Sequence, residues 1–186
     1  MLKIKLIQEN PIVGDILGNL ATIKEKIHES EKEDIDLLVF SEMFLCGYPP
    51  EDLVLRSDFL KKIDDSIKEL TNLTKKVSVI IGAPSRKGNE IFNSAYFLEK
   101  KELKQIYSKQ MLPNYKEFDE RRYFSSGKEN KIINLDGIKF GLSICEDIWS
   151  ESFVKDLVNE GAEIIINLSA SPFTVTKKMT RKKMLS

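Results

Sequence analysis

Short apolar runs of strand length alternate along this chain with longer segments whose apolar residues recur at helical spacing, and that alternation narrows the possible folds more than any other feature. Lys3 to Gln8 reads as a strand with apolar Ile4 and Leu6. Leu17 to Lys32 reads as a helix with Leu17, Leu20, Ile23 and Ile27 on its inward face. Asp36 to Phe40 is a short apolar strand. Phe59 to Leu73 is a second helix, striped by Leu60, Ile63, Ile67 and Leu70. Val77 to Gly82 is a buried strand. Strands interleaved with helices that each carry one apolar stripe predict an α/β layered domain, with helices covering a sheet.

Turn chemistry divides the rest of the chain. Lys87-Gly88-Asn89 is a turn signal, and the strands Phe92 to Leu98 and Leu103 to Tyr107 flank a second one at Lys100-Lys101. Lys131 to Asn134 and Ile138 to Ser143 pair around Leu135-Asp136-Gly137, where Asp-Gly suits a hairpin. Ser150 is placed to cap a helix running to Asn159, and Gly161 to end it. Glu163 to Leu168 is the last strand, and no further strand or helix is expected to close the pattern before Ser186. The basic run Lys177, Lys178, Arg181, Lys182, Lys183 reads as a solvated helix face.

Composition excludes several classes of function. Length, at 186 residues, suits one domain, and 41% hydrophobic residues are enough for a sizeable core. Lys and Arg total 29 and Asp and Glu 29, so nothing draws the chain to nucleic acid or to an anionic membrane. No apolar run approaches the ~20 residues that span a bilayer, and the N-terminus reads as a strand, not a signal peptide. Two cysteines, Cys46 and Cys145, make no disulfide framework, and one histidine makes a Cys/His metal site improbable. A reducing, cytoplasmic setting is expected.

Three reactive side chains stand just past apolar strands: Glu42 after Leu37 to Phe40, Lys109 after Leu103 to Tyr107, and Cys145 after Phe140 to Ile144. Singly, each has an ordinary reading: a solvated or ion-paired carboxylate, a surface ammonium, a small packed thiol. Together they supply a chemistry. The attacking species of a cysteine is its thiolate, so a catalytic cysteine needs a base or a cation beside it. His28, the only histidine, lies on a polar helix segment, which disfavours a Cys–His pair. A carboxylate withdrawn from water can be the base, and an ammonium can hold the oxyanion of a tetrahedral intermediate. Acyl transfer from an amide needs no more than these three.

Four motifs carry a family resemblance. They are Ser41-Glu42-Met43-Phe44-Leu45-Cys46-Gly47-Tyr48-Pro49-Pro50-Glu51-Asp52-Leu53; Lys109-Gln110-Met111-Leu112-Pro113-Asn114-Tyr115, running on to Phe118-Asp119-Glu120-Arg121-Arg122-Tyr123-Phe124; Ile144-Cys145-Glu146-Asp147-Ile148-Trp149; and Asn167-Leu168-Ser169-Ala170-Ser171-Pro172-Phe173. In this order they resemble the nitrilase superfamily of carbon–nitrogen hydrolases, and within it the glutaminase domain of glutamine-dependent NAD⁺ synthetases. The resemblance covers essentially the whole chain.

That resemblance implies a four-layer α-β-β-α sandwich. It implies that Cys145 attacks the side-chain amide of glutamine to form a thioester, that Glu42 moves the protons, and that Lys109 holds the oxyanion with the backbone N–H of Glu146. Glu120 falls at the position of an assisting acid that orients Lys109 or aids the base. Tyr115, Glu146, Trp149, Ser171 and Lys177 fall at positions that shape the glutamine pocket. No cofactor is implied for this step. ATP and Mg²⁺ would belong to a synthetase domain whose Gly-rich phosphate loop this sequence lacks, and the parent enzyme would be a homo-oligomer. Nitrilase domains are usually longer, so the resemblance implies that the last strands and helix are missing. Cys46 departs from the family pattern and reads as a packing cysteine. Two other readings stay open: a stand-alone amidase acting on a different small amide, and an inactive fragment with uncovered apolar faces.

Overall fold

Strand β1 (Ile4–Leu6) and strand β2 (Leu37–Val39) are joined by helix α1 (Ile16–Lys32), and a crossover of that length lets them pair in parallel. Helix α2 (Ser57–Leu73) makes the next crossover, so β3 (Ser78–Lys87) joins β2 in parallel as well. Hairpins then take over. β4 (Glu90–Glu99) returns from β3 through Gly88-Asn89, and β5 (Glu102–Ser108) returns from β4 through Lys100-Lys101. Both lysines adopt positive φ, 51° and 62°, the geometry a two-residue hairpin turn demands. The five strands form one sheet in sequence order.

A second sheet holds β6 (Ile132–Leu135), β7 (Ile138–Ile144) and β8 (Ile164–Leu168) in that order. β6 and β7 turn at Asp136-Gly137, both at positive φ, as the Asp-Gly pair predicts. Helix α3 (Glu151–Asn159) crosses over to bring β8 parallel to β7. Ser150 caps α3 by accepting from the Phe153 N–H, and Gly161 follows at φ 96°. Helix α4 (Lys177–Leu185) comes after β8. The computed structural model describes every residue except 116, 117, 173 and 186, together with the side chains of Lys177 and Leu185. Phe173 of the fourth motif therefore lies outside the described residues.

Alternation along the strands builds two cores. One face of the first sheet (Leu38, Phe40, Val79, Ile81, Tyr96, Leu98) packs against Ile16, Leu20, Ile23 and Ile27 of α1 and Phe59, Ile63, Ile67 and Leu70 of α2. The other face (Leu37, Val39, Ile80, Ala95, Phe97, Tyr107) meets Ile133, Leu135, Phe140, Leu142 and Ile144 of the second sheet. On the far side of that sheet, Gly141 leaves room for α3: a Cβ there would stand 3.2 Å from Leu157. The layers run α, β, β, α, as expected. Each fully buried Leu or Ile contributes on the order of 1.5–3 kcal/mol of gross burial.

Three expectations need correction. Leu17 is 71% exposed. The inward stripe of α1 starts at Ile16, and Ile16, Leu20, Ile23 and Ile27 follow the i, i+4, i+7, i+11 spacing that Leu17 misses by one position. β3 extends past Gly82 to Lys87, because its hairpin partner β4 continues the ladder beyond the core. A helix does follow the last strand, and its residues 178–183 are all exposed, as the basic run predicts. Among the described residues, no helix is long and apolar enough to cross a membrane.

Candidate active site

The carboxylate of Glu42 is set by a tight turn leaving β2. Met43, the next residue, takes φ 52°, and the turn folds back on β3, where the Leu45 N–H donates to the Gly82 carbonyl. Gly82 makes this possible. A Cβ at that position would lie 2.4 Å from the Met43 nitrogen and 2.8 Å from the Glu42 Cα. Glu42 is 1% exposed. Its Oε1 accepts from Lys109 Nζ and from Asn93 Nδ2, each at 2.8 Å, and its Oε2 accepts from the Ala170 N–H at 3.1 Å.

Lys109 leaves the end of β5. Its backbone N–H donates to the Asn93 carbonyl on β4, and its carbonyl accepts from the Gly127 N–H. The ammonium is out of water, donating to Glu42 and, also at 2.8 Å, to Glu120 Oε1. Glu120 opens a single 3₁₀ turn (Glu120–Arg122), and the same oxygen accepts from the Tyr48 hydroxyl at 2.9 Å. One cation thus lies between two carboxylates. Burial alone would depress the Lys109 pKa, but the charges of Glu42 and Glu120 outweigh it and hold the ammonium above the usual lysine range. For Glu120 the balance tips the other way: burial pushes it up to about 7 against the pull of Lys109, and the Glu42 charge adds to the rise.

Cys145 begins the 3₁₀ turn (Cys145–Trp149) at the end of β7, at φ 45°, a conformation a non-glycine residue adopts at a cost. Its Sγ accepts from the Ser169 hydroxyl at 3.5 Å. Burial pushes the thiol up to about 12, Glu42 and Glu120 add to that rise, and Lys109 and the Ser169 hydrogen bond oppose it. The resting group is therefore the thiol, and its proton has to be taken up during any attack. Cys46 is also pushed up to about 12 by burial, but it packs in the helix-covered core beside Met43, which agrees with its reading as a packing residue.

Of the residues expected to act together, Lys109 contacts Glu42 and Glu120 directly, and the thiol of Cys145 lies close enough to feel the charges of all three. Tyr115 and Glu146 pair, the Tyr115 hydroxyl donating to both carboxylate oxygens at 2.9 and 3.0 Å. The Ser171 hydroxyl reaches Cys145 through Ser169, at 3.3 Å, and accepts from Arg181 of α4. Trp149 ends the 3₁₀ turn and is 38% exposed. The Lys177 side chain lies outside the described residues. His28 is exposed on α1, in the outer layer.

Sequence reading gave no role to four side chains that the structure brings in. Asn93 and Tyr48 hold the two carboxylates, Arg181 meets Ser171, and Asp147 ties two strand ends together. Asn93 had a visible signal, a polar residue inside the apolar run Phe92 to Leu98. Among the described residues, no group of three or more His, Cys, Asp or Glu side chains could hold a metal ion.

The sequence pattern of the carbon-nitrogen hydrolases matches residues 3–185, and the chain belongs to that family. Within it, the chain is similar to glutamine-dependent NAD(+) synthetases. It is 41% identical to the one from Thermotoga maritima and 40% identical to the one from Aquifex aeolicus, over its whole length but only 33% of theirs. The solved glutamine-dependent NAD+ synthetase of Acinetobacter baumannii superposes with a TM-score of 0.95 at 34% identity, covering 99% of this chain and 35% of that one. An amidase from Nesterenkonia sp. shares the fold, with a TM-score of 0.86 at 20% identity. The chain thus spans about a third of the length of the curated relatives it matches.

Proposed function

We propose that this chain is a glutamine amidohydrolase domain working through a cysteine thioester. The observation that carries the reading is the buried ammonium of Lys109 held between Glu42 and Glu120, with its charge acting on the thiol of Cys145. Cys145 Sγ attacks the side-chain amide carbon while Glu42 takes the thiol proton. The new C–S bond leaves a tetrahedral oxyanion, stabilised by Lys109 and by the backbone N–H of Glu146 in the first turn after β7. Glu42 passes its proton to the amide nitrogen, the C–N bond breaks and ammonia departs. The same carboxylate then deprotonates a water that cleaves the thioester, and the proton returns to sulfur. Glu120 orients Lys109.

Tyr115, Glu146, Trp149 and Ser171 shape the glutamine pocket, and the position of Lys177 fits the same role by resemblance. The proposed steps draw on groups of the chain itself and one water. The ammonia would serve an ATP- and Mg²⁺-dependent amidation on a synthetase domain, as the similarity to NAD(+) synthetases suggests. The test is ammonia release from glutamine by the chain and by Cys145→Ala. Loss of release with an unchanged circular dichroism spectrum is the expected result, and turnover equal to wild type would end the proposal.

A further inference from the structure

Asp147 is fully buried and lies two residues after Cys145, yet the chemistry above does not use it. Its carboxylate accepts four hydrogen bonds from two strand ends. Oδ1 accepts from the backbone N–H groups of Gln110 at 3.0 Å and Met111 at 2.7 Å, the two residues that follow Lys109. Oδ2 accepts from the Tyr107 hydroxyl at 2.7 Å, on β5 two residues before Lys109, and from the Ile144 N–H at 2.9 Å, the residue before Cys145. Three of these donors are backbone groups, the Ile144 N–H buried and those of Gln110 and Met111 partly so, and each finds its acceptor in this carboxylate.

β5 and β7 belong to different sheets, so no ladder hydrogen bond fixes one strand end against the other. We infer that Asp147 is a positioning residue that sets the spacing between the Lys109 ammonium and the Cys145 thiol by binding the backbone on both sides of Lys109 and immediately before Cys145. It also closes the 3₁₀ turn that keeps Cys145 at positive φ. An acceptor-only carboxylate is needed. An amide in its place would turn its NH₂ group toward at least one backbone N–H, whichever way it is flipped.

This inference rests on the amidase reading for its kinetic arm, so the experiment has a second arm that does not. In the first, kcat and KM for ammonia release from glutamine are measured for wild type and Asp147→Asn. kcat should fall by roughly 10- to 100-fold, as a misplacement near 1 Å costs, with KM little changed. In the second, iodoacetamide alkylation of Cys145 is followed against pH by peptide mass spectrometry, with Cys46 buried as an internal control. The charged groups acting on the thiol are Glu42, Lys109 and Glu120, and only Lys109 favours the thiolate. Moving Lys109 away should displace the alkylation profile to higher pH. A merely structural role would lower the melting temperature and leave the profile in place.

Tyr107→Phe removes one donor of the four and should give a smaller displacement in the same direction, which keeps the inference testable if Asp147→Asn does not fold. Profiles that stay in place or move to lower pH in every folded variant overturn it. A wild-type chain inert toward glutamine would sink the proposed function but leave the alkylation result to decide the role of Asp147.

Discussion

Lys109 Nζ donates to Glu42 Oε1 at 2.8 Å, with the two side chains 0% and 1% exposed. An ion pair so far from water persists because its members are held on several sides: Asn93 and the Ala170 N–H on Glu42, Glu120 on Lys109. Removing the cation leaves two buried carboxylates facing each other. Lys109→Met should therefore destabilise the chain by about 3–5 kcal/mol and abolish turnover. Urea denaturation of the variant should show it recovering part of that loss as pH falls and Glu120 takes up a proton. A variant as stable as wild type at pH 8 would contradict this account of the site.

Glu120 gives the wild-type chain its own pH signature. Its pKa is about 7 in the folded chain against an ordinary 4.5. Between those values the native state holds a proton that the unfolded chain has released, so stability from this group is full below pH ~4.5 and is lost as pH rises through about 7. The loss is on the order of 3 kcal/mol. Glu120→Gln should flatten the fall in unfolding free energy over this window, read as the difference between the two chains. Parallel curves would show that Glu120 is not the group responsible.

Tyr48→Phe isolates the hydrogen bond that favours the charged form of Glu120. Its loss should raise the Glu120 pKa further. In the amidase assay the acid limb of the pH–rate profile should move to higher pH by a fraction of a unit, with the alkaline limb unmoved.

Gly82→Ala tests the turn that aims Glu42. The added methyl would collide with backbone at 2.4–2.8 Å, so the Glu42 turn has to shift. We expect a loss of about 1–3 kcal/mol and a fall in turnover of roughly 10- to 100-fold. Gly88→Ala is the matched control. It sits at φ 62° in the β3–β4 turn with nothing within 4 Å, and should cost stability without touching turnover.

Periodicity and turn chemistry made most of the architecture legible. The stripe Leu60, Ile63, Ile67, Leu70 marked the buried face of α2, and Asp136-Gly137 marked the β6–β7 hairpin. The three reactive residues were legible because each follows an apolar strand. What pattern could not supply is anything that depends on two strand ends meeting. Three of the four bonds to Asp147, the dual hold of Asn93 on Lys109 and Glu42, and the clash space around Gly82 all join residues far apart in sequence. Leu17 shows the limit at short range. Once the helix starts at Ile16, a shift of one residue turns a leucine by about 100°, from the core to solvent.

The Ala170 N–H that binds Glu42 Oε2 lies just beyond β8, in the second sheet, whereas Glu42 itself leaves the first. The Glu42 carboxylate is thus a gauge of how the halves of the sandwich are aligned. Mild denaturant that lets one sheet slide on the other should silence the amidase while far-UV ellipticity is still intact.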